Sequence, residues 1–378
     1  MNGRARVLAA CGGIAAIFLC VQLGALALVD PLKAGGNQFV EDTGDPTNSV
    51  VYIALILVAT AAMLAVIRLD LEWVLRGFVI FSGGYIAWYV FRVVAPGVYV
   101  SVGGVPVNVL AVALAVGLAG ALYVYPEWYV VDAAGIVMGV GAAGLFGINF
   151  GILPALVLLT VLAVYDAISV YGTEHMLTLA SGVMDLRVPV VLVVPLTLSY
   201  SFLDADLPDP EAEEAEEAEE AGEQPDAAAA DGGHGNAVES ERAGAAEGGH
   251  AEDDEGDVEA NEAEPDTADG SDEDDYGRDA LFIGLGDAVI PAVLVASAGF
   301  FLSGVPTLPV PGLALTLPAA TAMVGTFLGL VVLLRMVLAG RAHAGLPLLN
   351  GGAIGGYLVG ALASGLSLTQ ALGLGGVL

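Results

Sequence analysis

The chain has 378 residues, 56% of them hydrophobic, yet its formal net charge is −32. Between Asp204 and Asp279 lie 31 of its 43 Asp and Glu but only two of its 11 Lys and Arg, so a nearly neutral, very apolar protein carries one acidic insert. A nucleic-acid binder is excluded, because no basic stripe is present to neutralise phosphates; so are a disulfide scaffold, with two cysteines, and an ordinary soluble enzyme, because apolar runs of membrane-spanning length repeat along the chain.

A bilayer core is crossed by about 20 apolar residues in a helix. Runs of that length predict helices at 7–29, 49–67, 77–95, 106–125, 129–147, 149–172, 280–304, 318–340 and 347–370. Helices are the spanning form expected, since lipid cannot satisfy free backbone groups and barrel strands would alternate in polarity. The first run follows Arg4 and Arg6 and contains Ala25-Leu26-Ala27, as a signal peptide would, but it is longer than a secretory apolar region and is read as a helix. Cys11 and Cys20 lie within it and read as small buried hydrophobes. The shorter apolar stretch Pro189–Phe202 reads as an interfacial or re-entrant piece.

Basic residues set the orientation. Arg4, Arg6, Arg68, Arg76, Arg187, Arg242, Arg278, Arg335 and Arg341 all fall on one side if the N-terminus is cytoplasmic, leaving Lys33 and Arg92 on the other. The expectation is an all-α protein of nine transmembrane helices, N-terminus inside and C-terminus outside, at the cell membrane. Its parts are a six-helix region (1–203), an acidic cytoplasmic linker (204–279) and a three-helix region (280–378). The linker has few apolar residues larger than Ala and cannot bury enough surface to offset its chain entropy. Its charge suits solubility in a salt-rich cytoplasm. His234 and His250 sit there among Gly and acids without metal-ligand spacing, and Glu174 with His175 are adjacent and share no helix face. No cofactor and no metal site is expected.

Charged groups inside lipid are costly, so each is a functional candidate. Asp166 lies about six residues before the end of helix 6, and Asp287 about seven residues into helix 7, which places both roughly 10 Å from the cytoplasmic end. Two facing carboxylates cannot both ionise easily and share a proton, so one can activate water while the other polarises a carbonyl. From spacing alone, a protease dyad, a proton path through a transporter and two unrelated structural polar residues all stay open. Asp132, at the start of helix 5, reads as a headgroup-level residue, and Arg335 as one that snorkels to the cytoplasmic face. Gly284 and Gly286 flank Leu285 just before Asp287 and remove side chains where a substrate backbone would approach. Helix 9 opens with Pro347-Leu348-Leu349, and Gly351, Gly355 and Gly352, Gly356 form overlapping small-xxx-small pairs behind it.

Tyr165-Asp166, Gly284-Leu285-Gly286-Asp287 and the proline motif opening helix 9 together resemble the presenilin and signal peptide peptidase family, intramembrane aspartyl proteases with the motifs YD, GxGD and PAL. Gly172-Thr173-Glu174-His175-Met176 is also presenilin-like, as is a cytoplasmic N-terminus. The resemblance implies that Asp166 and Asp287 are the catalytic pair. It also implies that Tyr165, Gly284, Leu285, Gly286, Pro347, Leu348 and Leu349 shape the active site, with transmembrane segments of other membrane proteins as substrates. It further implies that a substrate helix unwinds near the scissile bond and that its extended segment can add as a β-strand beside the loop and helix 9. Leu348 stands where the family has Ala, which bears on the substrate-facing wall. The rivals are a proton-coupled transporter, against which no internal repeat is visible, and a prepilin-peptidase-like GxGD protease, against which the Tyr-Asp and proline motifs speak.

Overall fold

The structure, a computed structural model, describes residues 3–40, 43, 45, 47–69, 72–172, 191–197, 200–203, 280–339 and 344–374. The acidic insert, residues 173–176, and Arg187 and Arg341 lie outside the described residues. Ten helices and four strands occur among the described residues, in the order α1 (Gly3–Ala34), α2 (Thr47–Arg68), α3 (Glu72–Val94), β1 (Tyr99–Val102), β2 (Val105–Asn108), α4 (Val109–Val124), α5 (Trp128–Asn149), α6 (Ile152–Gly172), β3 (Val191–Pro195), β4 (Ala280–Gly284), α7 (Leu285–Phe301), α8 (Leu317–Val337), α9 (Gly345–Ala363) and the short α10 (Leu368–Ala371). Among the described residues, six helices are long and apolar enough to cross a membrane: α1, α3, α5, α6, α8 and α9. The apolar stretches of α2 (Val50–Val66), α4 and α7 are shorter.

Each apolar run of the sequence becomes a helix, but the fold is not purely helical. Two stretches assigned to helix ends are strands. Val105–Asn108 turns back on Tyr99–Val102 through Gly103 and Gly104, whose φ angles of +60° and +85° suit a tight hairpin turn that residues with a Cβ enter at a cost. Ala280–Gly284 pairs antiparallel with Val191–Pro195, from Val191 opposite Gly284 to Pro195 opposite Ala280. Val191–Pro195, within the stretch read as re-entrant, is therefore a strand. Helix α7 begins at Leu285 instead of Ala280, so Asp287 stands in its first turn.

Lipid-immersed helices gain little from hydrophobic burial against one another, so close approach of small residues does the packing. Helix α5 sits at the centre on this basis. Its glycines meet a different neighbour on each side: Gly144 meets Leu28 and Leu32 of α1, Gly141 meets Ile86 and Val90 of α3, and Gly147 meets Ala296 of α7. Ser297 donates to the Phe150 carbonyl at 2.8 Å, fastening α7 to the corner between α5 and α6. Asn149 ends α5 and stitches that corner to the α1–α2 connection: its Oδ1 accepts from the Phe39 and Val40 amides at 2.6 and 3.2 Å, and its Nδ2 donates to the Asn37 carbonyl at 3.1 Å. On α1, Cys11 is half-buried and Cys20 exposed, both as free thiols, which corrects the expectation that both are buried.

Candidate active site

Three helix segments converge on the two carboxylates. Asp166 projects from α6 and is 7% exposed. Its Oδ2 accepts a hydrogen bond from the Leu346 backbone amide at 3.1 Å. Leu346 is the second residue of α9, and α9 opens with no side-chain cap. The first amides of a helix have no partner within the helix, so a carboxylate there satisfies an otherwise free donor. Residue Gly345, immediately before it, packs against the other acid: a Cβ built there would stand 3.2 Å from the Asp287 Oδ2. The start of α9 thus touches both acids through consecutive backbone positions.

The positions around Asp287 follow from the strand-to-helix switch. Gly284 ends β4 and is the N-cap of α7. A Cβ at Gly284 would stand 3.5 Å from the Asp287 Oδ2. Gly284 and Gly286 are both exposed, so one side of Asp287 is bare of side chains. Leu285 turns the other way and packs toward α5, where its Cδ1 would stand 3.3 Å from a Cβ at Gly139.

The proline motif divides its work. Pro347 stands in the first turn of α9, where its missing N–H costs no helical bond. Leu349 is fully buried in the core shared by α1, α5, α7 and α8. Leu348 is partly buried and lines an apolar groove of about 560 Å³ between α8 and α9. Tyr165, next to Asp166, is 47% exposed and so is not enclosed with its neighbour.

Two residues beyond the motifs fix this arrangement. Asn350, fully buried on α9, donates to the Leu159 carbonyl of α6 at 2.9 Å and ties the helix of the proline motif to the helix of Asp166. The sequence signal for it was a polar amide directly after the Pro-Leu-Leu run. Asp132, expected at the headgroup level near the start of α5, is 8% exposed within the protein and accepts from the Val193 amide of β3 at 2.8 Å. Among the described residues no group of three His, Cys, Asp or Glu is arranged to hold a metal ion.

Known proteins share this architecture. A family model described as signal-peptide peptidase, presenilin aspartyl protease matches residues 15–366. A solved presenilin family intramembrane aspartate protease, in space group C222, superposes with a TM-score of 0.55 at 26% identity, covering 93% of this chain and 99% of that one. A structure titled as a presenilin family intramembrane aspartate protease in space group P2 gives a TM-score of 0.52 at 28% identity, covering 93% and 97%. No curated protein is matched by the sequence. With the family model spanning nearly the whole chain and the same fold in solved intramembrane aspartate proteases, this chain belongs to the signal-peptide peptidase and presenilin family of multi-pass intramembrane aspartyl proteases.

Proposed function

We propose that Asp166 and Asp287 are the catalytic dyad of this protease, and that transmembrane segments of other membrane proteins enter beside Gly284 and Gly286. The observation that carries this reading is the start of α9, where Leu346 bonds Asp166 and the adjacent Gly345 lies against Asp287. One carboxylate acts as general base and takes a proton from a water; the other, protonated, donates to the scissile carbonyl oxygen. Water adds to the carbonyl carbon to give a gem-diol, and the C–N bond breaks as the leaving nitrogen takes up a proton. The acids titrate as a unit, so the proton belongs to the pair rather than to one residue. A helical substrate hides its carbonyls in intrahelical bonds, so the segment must unwind before attack. The bare side of Asp287 is where an extended backbone has room.

The same reading places the chain in the cell membrane with nine spans, N-terminus inside, and the 204–279 insert in the cytoplasm. Its support is the side of the basic residues. The bond between Asp132 at the start of α5 and Val193, after α6, fits alternating spans that bring those ends to one side. Tyr165, Pro347, Leu348 and Leu349 serve as wall and support, Tyr165 from its exposed position beside Asp166 and Leu349 from the core.

The test is cleavage of a panel of single-pass substrates in proteoliposomes. Asp166→Ala and Asp287→Ala are each expected to abolish cleavage, with the helical circular dichroism of the wild type retained. Product formed by either variant would remove that residue from the dyad.

A further inference from the structure

Strand β3 presents two edges. One pairs with β4. In an antiparallel ladder, successive residues turn their N–H and C=O groups alternately toward and away from the partner strand. The Val193 amide is bonded to Asp132 and so points away from β4. Val191 and Pro195 share its parity and face outward with it. Proline has no N–H, so on the outward edge of β3 two of the three outward positions offer no donor: Val193 is taken and Pro195 has none. By the same alternation, Phe282 and Gly284, opposite Val193 and Val191, turn their backbone groups to the far edge of β4. That strand has no second partner among the described strands, and its Gly284 runs directly into the turn carrying Asp287.

A second anchor holds the same segment. Glu127, the N-cap of α5, accepts from the Ser201 hydroxyl at 2.7 Å and from the Phe202 amide at 3.0 Å. Val193 and Phe202 are buried in one cluster with Val131 and Ala134 of α5, and with Ala280 of β4. The start of α5 therefore grips the β3 segment at two places, through two acidic side chains.

From this geometry we infer that Asp132 is a positioning residue. It occupies the central amide on the outer edge of β3 and holds the β3–β4 pair in one register, so that an extended peptide is directed to the free edge of β4, beside Asp287. Asp132 does not touch the reacting atoms. It acts through Val193, the ladder and Gly284. The inference rests on the dyad reading above, since register matters only if Asp287 attacks.

Asp132→Ala removes the acceptor and Asp132→Asn keeps one. In proteoliposomes with a single-pass substrate, Asp132→Ala is expected to lower kcat/KM about tenfold, the scale of one buried hydrogen bond lost with its donor left unpaired. Its products, resolved by mass spectrometry, are expected to spread to cuts about two residues apart, the slip that preserves strand facing. Asp132→Asn is expected to restore a single cut. An aspartyl transition-state analogue is expected to bind both variants as it binds the wild type, because the dyad is intact. A wild-type rate and cut site in Asp132→Ala would overturn the inference. So would loss of analogue binding in Asp132→Ala without recovery in Asp132→Asn, which assigns the residue to folding alone. An active Asp287→Ala control would bring down the dyad itself and the clamp with it.

Discussion

Helices α8 and α9 pack backbone to backbone, and this contact carries a sharp prediction. A Cβ at Gly352 would meet the Gly325 carbonyl oxygen and stand 2.9 Å from its carbon. One at Gly356 would meet the Thr321 carbonyl oxygen and stand 2.9 Å from its carbon and 3.1 Å from the Gly325 Cα. Every obstacle is backbone, so no side chain can rotate away, and the helices must part by roughly 1 Å to regain ordinary contact. Overpacking of this kind costs about 1–3 kcal/mol, against roughly 1 kcal/mol that alanine returns in helix propensity. Gly351 and Gly355, one residue earlier on each turn, have nothing within 4 Å of a built Cβ. The consequence reaches the site because α9 carries Leu346, whose amide stands 3.1 Å from Asp166. A retreat of about 1 Å takes that bond beyond hydrogen-bond range. Misplacement on this scale costs on the order of 100-fold in rate. Gly352→Ala and Gly356→Ala are therefore expected to lower the thermal midpoint in detergent and to cut activity by about two orders of magnitude. Gly351→Ala and Gly355→Ala are expected to match or slightly exceed the wild type in stability. Equal behaviour of the two pairs, in thermal unfolding and in cleavage rate, would refute the packing account.

Burial of Glu127 works against its charge, but bonds from the Ser201 hydroxyl and the Phe202, Trp128 and Leu203 amides outweigh it and hold the carboxyl below its ordinary value. A group with a lowered folded pKa stabilises fully above its unfolded pKa, and that contribution is lost as pH falls through the folded value. The Phe202 amide is accordingly expected to exchange faster as pH drops below the ordinary glutamate range, after correction for intrinsic rates, and Glu127→Gln is expected to flatten that dependence. Deletion of most of 210–275 is expected to leave a membrane-inserted core that still cuts, scored by cleavage in proteoliposomes; loss of the inserted fold would refute the reading of the insert as a linker.

The helices were legible because lipid demands long apolar runs, and such runs are visible one residue at a time. The strands were not. Val191–Pro195 and Ala280–Gly284 are five-residue apolar stretches, too short for periodicity to separate strand from helix. What decides their form is each other, across the whole acidic insert. The partner of Asp132 was hidden for the same reason: it is a backbone amide of β3, and only the folded strand presents it. The two small-xxx-small pairs of α9 looked equivalent as sequence, yet only Gly352 and Gly356 face α8 closely enough to need glycine, because the facing row depends on the rotation of α9, which spacing does not specify.

The site divides along the same line. Asp166 and Asp287 stood out because a carboxyl in an apolar run has no cheap explanation. Their depth was reckoned from helix ends, and that count changes once α7 starts at Leu285. What joins them is instead the backbone of Gly345 and Leu346. A backbone amide can be supplied by nearly any residue, so its use leaves no mark in composition, whereas the lack of a side chain does leave one. Gly345 is the informative position on this reasoning: a Cβ there would come within 3.2 Å of the Asp287 Oδ2 and 3.5 Å of Leu333. The proline motif is thus the visible end of a longer element that begins two residues earlier. Its leading glycine and the amide behind it bring two acids, separated in the chain by the entire insert, to the same helix start.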